Sequence, residues 1–396
     1  MKILQINSIY PIRSTGRIVK ELEDIQREQG YEPYIACGQS MVKKDNVYTI
    51  GTPLYNKLSI LKTRLFGKHG FYNRRATKKL LKHIDAINPD IIHLHNIHGH
   101  YLNVKLLFEY IKKHNIPVVW TLHDCWSFTG HCAYFDVVGC DKWKNGCSNC
   151  PAKHQYPITK IFDRSRGNYK AKKELFSDVE KLHIVTPSKW LMDLCKESFL
   201  KKYPVSVLHN GIETDTFTFS ESDMKEELKI EDKFVILGII GNFKSHKGGK
   251  DFLKLSEMIG KDEVIVLLSL EENPEDIPSN IIPLPKTSDD KLLAKIYSMA
   301  DVFVNPTMQD NFPTVNIEAI SCSTPVVTYN SGGSAESQCE GTGFVVEKGD
   351  IKGIYDAVLR VKNGEISRDN CRKRGLEFKT KDCFRKYTEI YESIVK

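Results

Sequence analysis

Two carboxylates eight residues apart give this chain its most informative stretch. Asp310 and Glu318 lie in the run Pro306 to Pro325, where an apolar segment meets a turn and then a helical pattern. Pro313 suits the start of that helix, because a first-turn proline loses no hydrogen bond it would have made. The free N–H groups of Thr314 and Val315 then add to the helix dipole and favour an anion at the tip. One acid near the tip and one further along fit the hydroxyls on either side of a bound diphosphate. A nucleotide sugar has that layout of sugar, diphosphate and ribose. The same spacing also fits two solvated acids on a strand, a turn and an amphipathic helix.

A second group of polar residues stands in the first half. Val118 to Asp124 reads as a buried strand ending in His123, and strand ends are where a doubly wound sheet exposes functional groups. His93, His95, His98 and His100 form a cluster whose alternation puts His93 and His95 on one strand face. With Asp90 the only carboxylate close by and no cysteine near, this spacing matches no zinc pattern. The reading preferred here is a structural, acceptor-facing loop. Gly16 and Arg17 follow the first strand at a strand–Gly–helix junction, a common feature of α/β proteins.

A third group is made of sulfur. Five of the eleven cysteines fall between Cys125 and Cys150. Cys147 and Cys150 have the two-residue spacing of a metal hairpin, and Cys132 and Cys140 would complete a structural four-thiolate zinc site, with His131 as a spare. Unpaired buried thiols and disulfides are the alternatives, the latter a poor match to a reducing compartment.

The elements that must position these groups alternate from end to end. Strand patterns at Lys2–Asn7, Tyr34–Cys37, Ile91–His95, Val118–His123, Leu182–Thr186 and Ser206–Leu208 are separated by helical ones. The second half repeats the scheme from Phe234 to Val346. Continuous Val/Ile/Leu runs between helices predict parallel sheets buried on both faces. Two arrays predict an α/β protein of two doubly wound, Rossmann-like domains with a cleft between them. The expected boundaries are 1–205, with a cysteine-rich insertion near 124–157, then 206–380, and a last helix over 381–396.

At 396 residues the chain suits two domains rather than one core. Its longest apolar run, Phe234 to Gly241, is strand-sized and far short of the ~20 residues a membrane-spanning helix needs. Met1 to Ile6 reads as a first strand rather than a signal-peptide core, so a cytoplasmic location is expected. The net charge of +7 is unevenly spread. Nine Lys and Arg from Lys57 to Lys82 crowd a stretch without acids, interleaved with Leu and Phe. That segment fits anionic lipid headgroups or a phosphate-bearing acceptor, and equally a solvated helix face. No nucleic-acid motif accompanies it, so no nucleic-acid partner is expected.

Taken together, these segments resemble family-4 retaining glycosyltransferases of the GT-B fold over most of the chain. Asp310 to Glu318 resembles their Glu-x7-Glu donor motif, with Asp in the first acidic position. The run Leu208-His-Asn210-Gly-Ile resembles the Pro-Asn-Gly-Val element that joins their two domains. Gly238 to Gly248 resembles their second glycine loop, Gly-Arg-x4-Lys-Gly, with Lys247 at the lysine and Asn242 at the arginine. The cysteine block resembles a branch that builds colanic acid and other bacterial surface polysaccharides.

The resemblance implies a nucleoside-diphosphate sugar donor, with UDP or GDP as the nucleotide. Glu318 would hold the ribose and Asp310 the donor sugar. Asn311, Phe312 and Thr314 would meet the sugar or diphosphate, and Gly16, Arg17, Asn210, Gly241 and Asn242 would line the donor site. Lys247 would stabilise the leaving group and His123 would orient the sugar. No catalytic metal is expected. The acceptor would be a glycan hydroxyl, plausibly lipid-linked, attacked on the face the nucleotide leaves. Two other readings fit the same scaffold: a nucleotide-sugar hydrolase or epimerase, and a catalytically silent nucleotide-sugar binder.

Overall fold

Alternating apolar runs and amphipathic helices fold into two all-parallel sheets in the computed structural model, which describes residues 1–244, 246–272 and 274–396. The chain divides into two compact units, residues 1–209 with 384–396 and residues 210–383.

The first unit runs β1 (Lys2–Asn7), α1 (Arg13–Glu28), β2 (Glu32–Cys37), β3 (Val47–Thr49), α2 (Pro53–Phe66), α3 (Arg74–Ile87), β4 (Ile91–Leu94), α4 (Val104–His114), β5 (Val118–Thr121), α5 (Ser165–Phe176), β6 (Leu182–Thr186), α6 (Lys189–Glu197) and β7 (Val205–Val207). Its seven strands are ordered β3-β2-β1-β4-β5-β6-β7. Chain order reverses between β1 and β4, where Ile3 pairs with Ile91 and Ile6 with Leu94. Such a reversal leaves a crevice at the carboxyl ends of the strands. Ile3, Leu4, Ile6, Ile91, Ile92 and Leu94 are fully buried, as a sheet covered on both faces requires.

The second unit holds α7 (Met224–Glu227), β8 (Phe234–Ile239), α8 (Gly249–Met258), β9 (Glu263–Leu268), β10 (Ile281–Leu284), α9 (Asp290–Met299), β11 (Val302–Asn305), α10 (Thr314–Ser321), β12 (Val326–Tyr329), β13 (Gly343–Val346), α11 (Ile351–Lys362), α12 (Arg368–Leu376) and the start of α13 (Thr380–Val395). Its six strands are ordered β10-β9-β8-β11-β12-β13, with the reversal between β8 and β11. One apolar core lies on each face of this sheet, around Leu237 and Ile320 on one side and Ile236 and Val358 on the other.

The sheets lie where the apolar runs place them, with three differences. The three-residue strand β3 and the helices α2, α5, α7 and α12 arise from segments not assigned above. Strand β5 ends at Thr121, so His123 stands two residues beyond it. Helix α1 begins at Arg13, so Gly16 lies inside its first turn rather than ahead of it.

Candidate functional site

In the second unit, both candidate acids follow the strand at the reversal point. Helix α10 opens at Thr314 with Pro313 as its N-cap, and its short length keeps Glu318 within two turns of the tip. The Asp310 carboxylate accepts hydrogen bonds from the backbone N–H groups of Asn311 and Phe312. Burial raises its pKa, and the nearby Lys247 cation and those two N–H groups oppose the rise. The Asp310 carbonyl accepts from Gly333 N at 3.1 Å. A Cβ on Gly332, whose φ is +59°, would stand 1.8 Å from that carbonyl, so the turn demands glycine.

Glu318 is buried and accepts a 2.9 Å hydrogen bond from the Tyr297 hydroxyl. The Asn210 side chain donates to the Phe312 carbonyl at 3.3 Å, fixing the loop between Asp310 and α10. Asn316, between the acids, accepts from Asn305 at 2.7 Å and donates to Ser337 at 3.0 Å. Asn311 and Phe312 are buried, and Phe312 packs on Phe378.

The β8–α8 loop reaches the same end of the sheet. Met308 N donates to the His246 carbonyl at 2.9 Å, joining this loop to the one that carries Asp310. A Cβ on Gly248 would lie 2.3 Å from Pro306, so only glycine lets the loops approach this closely. Lys247 is exposed and is the charged side chain that lowers the Asp310 pKa. Gly241 accepts from Glu271 N at 2.9 Å. The Asn242 side chain accepts from Lys244 N at 3.0 Å, which turns it into its own loop. The structure thus gathers Asn210, Gly241, Asn242, Lys247, Asp310, Asn311, Phe312, Thr314 and Glu318 around one sheet end.

In the first unit, His123 lies in the loop after β5. Its Nε2 is 3.1 Å from His95 Nδ1, and His95 Nε2 is 3.1 Å from Gln5 Oε1. The Gln5 amide nitrogen donates to Val19 O and Gln26 Oε1, so its Oε1 must accept from His95. His95 Nδ1 then accepts from His123 Nε2, leaving His123 Nδ1 as the acceptor that faces outward from this chain of bonds. Burial pushes the His123 pKa down to about 4, so the ring is neutral at pH 7. From Gln26 the network passes to Tyr391 at 3.0 Å and on to His93 at 2.8 Å. His93 meets Thr121 at 2.8 Å, and Thr121 meets Tyr387 at 2.9 Å. The His93 and His95 rings lie 4.1 Å apart, tilted by 33°. Gln5, Tyr387 and Tyr391 were not foreseen as part of this group; a glutamine inside an otherwise apolar first strand was the available signal.

Gly16 is buried, and a Cβ there would stand 3.1 Å from the Ile9 carbonyl, so its close approach is to its own chain. Arg17 is exposed on the first turn of α1. His98 Nε2 is 2.8 Å from Asp124 Oδ2, and His98 Nδ1 is 3.1 Å from the Tyr156 hydroxyl.

Among the described residues, no group of three or more His, Cys, Asp or Glu side chains is arranged to hold a metal ion. The zinc expectation for Cys132, Cys140, Cys147 and Cys150 therefore finds no assembled ligand set there. The structure instead pairs Cys132 with Cys150 through a thiol hydrogen bond that raises the Cys132 pKa and lowers that of Cys150. Cys147 accepts from Gly130 N at 3.1 Å. The buried Lys172 lies beside Cys147 and Cys132. It donates to the carbonyls of Trp126 at 2.6 Å and Thr129 at 3.0 Å, with its Nζ 3.4 Å from the Trp126 ring centroid, and burial pushes its pKa well below that of a free lysine.

Two doubly wound sheets with these loops define a glycosyltransferase of the GT-B fold. The glycosyltransferase family 4 model matches residues 15–216 and the glycosyl transferases group 1 model matches residues 220–378. The chain belongs to glycosyltransferase family 4. It is 25% identical over 366 residues to WcaC of Escherichia coli K12, a glycosyl transferase assigned to colanic acid biosynthesis, covering 89% of this chain and 88% of that one. It is 30% identical over 182 residues to the capsular polysaccharide biosynthesis glycosyltransferase CapM of Staphylococcus aureus, covering 42% of this chain and 48% of CapM. The structure of Anabaena HepE in complex with UDP-glucose superposes with a TM-score of 0.67 at 13% identity, over 99% of this chain and all of that one.

Proposed function

We infer that this glycosyltransferase acts in the synthesis of a bacterial surface polysaccharide. It moves a sugar from a nucleoside-diphosphate donor to a hydroxyl of a glycan carried on a lipid, with retention at the reacting carbon. The observation that carries the reading is the pair of acids on α10 and its leading loop. Asp310 is held by two backbone N–H groups beside Lys247, and Glu318 accepts from the Tyr297 hydroxyl.

Glu318 takes the ribose hydroxyls and Asp310 the hydroxyls of the donor sugar. The N–H groups at the start of α10 and the ammonium of Lys247 meet the diphosphate, whose charge grows as the bond to the sugar breaks. The neutral His123 offers Nδ1 as a hydrogen-bond acceptor to a sugar hydroxyl. No side chain is assigned as a covalent nucleophile; the acceptor proton passes to the departing phosphate on the same face. The relatives named for colanic acid and capsule synthesis support the pathway class, and the neighbour that holds UDP-glucose supports a UDP-sugar donor.

Asn242 favours one second reading. Its side chain serves its own loop where a second cation would be expected, which suits a protein that binds a nucleotide sugar without turning it over. Incubating the purified protein with UDP-, GDP- and ADP-sugars and a lipid-linked glycan pool separates the two. Transfer with an α-linked product from an α-linked donor supports the proposal. Donor binding without product from any acceptor supports the silent binder, and free sugar released at the same rate with or without acceptor indicates a hydrolase.

A further inference from the structure

Helix α2 is built inside out for a helix on a globular unit. Ser59 and Thr63 are 3% and 1% exposed, whereas Leu54 and Leu61 are 69% and 53% exposed. Leu54, Leu58, Leu61 and Leu65 recur at the spacing of one helical stripe, and that stripe lies opposite Ser59 and Thr63. Lys57 and Arg64 border the stripe on one side and Lys62 on the other. The helix is capped at both ends. The Thr52 side chain caps it at 3.3 Å to Tyr55 N, Pro53 opens it, and Gly67 closes it with φ +67°.

A second segment continues this apolar surface. The Lys160 N–H donates to the Arg64 carbonyl at 2.7 Å, and Phe162 stacks on Phe66 at 6.2 Å. Ile158, Ile161 and Phe162 are exposed there. Charge on α2 is of one sign. No acid stands between Asp45 and Asp85. Asp163, the acid in the second segment, accepts from the backbone N–H groups of Cys150 and Ser165 at 2.7 Å each. Beside Leu58, a groove of about 390 Å³ is rimmed by Lys62, Arg74, Arg75 and Lys78.

We propose that α2 and residues 158–164 form a face that docks on an anionic lipid bilayer. The Leu and Phe side chains enter the headgroup boundary and the Lys and Arg side chains pair with lipid phosphates. An apolar stripe flanked by cations is what such an interface selects. A second copy of the chain is disfavoured, because two faces of like charge would meet. The proposal deepens the reading of a lipid-linked acceptor and rests on it for its purpose: docking would bring this enzyme to an acceptor confined to the membrane.

Co-sedimentation of the full chain with vesicles tests it. Vesicles of phosphatidylcholine with 30% phosphatidylglycerol should bind the protein, and pure phosphatidylcholine should not. Binding should weaken with salt, and the Lys62→Glu/Arg74→Glu variant should lose about fivefold or more for each charge removed. The Leu54→Ser/Leu61→Ser variant, altered only at exposed sites, should melt like the parent and lose at least tenfold in vesicle binding. Its transfer to a water-soluble acceptor should be unchanged. Equal binding to both vesicle types, vesicle binding indifferent to the Leu→Ser changes, or a dimer that those changes dissolve would each overturn the docking face. If the parent binds vesicles as described yet transfers no sugar, the functional reading fails and the docking face stands.

Discussion

His95 fixes the proton on His123. The 3.1 Å contact between His95 Nδ1 and His123 Nε2, read with Gln5 behind it, places hydrogen on His123 Nε2 and leaves Nδ1 with its lone pair. His95→Leu removes the acceptor and frees the ring to rotate or change tautomer. Sugar transfer should fall by about 10- to 100-fold, in the range a positioned polar group contributes, with the donor Kd within about twofold of the parent. Gln5→Leu should give a smaller loss of the same kind. Single-turnover rates and donor titrations together check this; a change in donor affinity alone would contradict it.

Acid should weaken the first unit through its histidines. Burial pushes His93 down to about 3, and His100, His123 and His131 down to about 4. The unfolded chain takes up these protons near pH 6.5 and the folded one does not, so stability falls as pH drops from about 6.5 towards 4. Each histidine contributes at most about 1.4 kcal/mol per pH unit in that window. Urea unfolding at pH 7 and pH 5 should show a clear loss at pH 5, smaller in His93→Gln.

Asp310 should carry a cost to stability. Its pKa is raised, so the folded state favours the protonated acid, and stability declines as pH rises through the carboxylate range. At pH 7 the penalty is fully present. Asp310→Asn removes it and should raise the melting temperature at pH 7, with a gain that fades as pH falls and the acid takes up its proton. Transfer should nonetheless fall by about 100-fold or more, because the amide cannot accept two sugar hydroxyls as a carboxylate does. Differential scanning fluorimetry across pH, paired with a rate assay, reads both effects.

Lys172 holds the cysteine-rich insertion by its terminal nitrogen. Lys172→Met leaves the Trp126 and Thr129 carbonyls without that donor and removes Nζ from the face of the Trp126 ring. The loss should be about 2–4 kcal/mol, the scale of leaving two buried acceptors without their donor. A denaturant midpoint unchanged from the parent would show that the insertion does not depend on it.

Much of the scaffold was legible, for a physical reason. Parallel strands covered on both faces are written as unbroken Val/Ile/Leu runs, and Lys2–Asn7 and Leu182–Thr186 match their strands residue for residue. Helix α10 starts where Pro313 marks it. The three-residue β3 carries too little pattern to be seen. Helix α2 was legible only as a basic stretch interleaved with Leu and Phe, because nothing in the sequence says which side of its apolar stripe is covered. The polar network was legible only in part. The histidine alternation placed His93 beside His95, but Tyr387 and Tyr391 reach it from nearly 300 residues away, a separation no local pattern encodes. The cysteine spacing offered a four-ligand set, and in that block the structure shows a Cys132–Cys150 thiol hydrogen bond, because spacing constrains which residues can meet and not how they are arranged.

Titrating donor nucleotide sugars into the parent, Glu318→Ala and Asp310→Ala by calorimetry tests the central assignment most directly. Loss of the ribose contact in Glu318→Ala should weaken nucleotide-sugar and free-nucleotide binding alike by about 10-fold or more. Asp310→Ala should bind the free nucleotide within about threefold of the parent while transfer collapses. Equal and mild effects of both changes on nucleotide binding and on transfer would contradict the account.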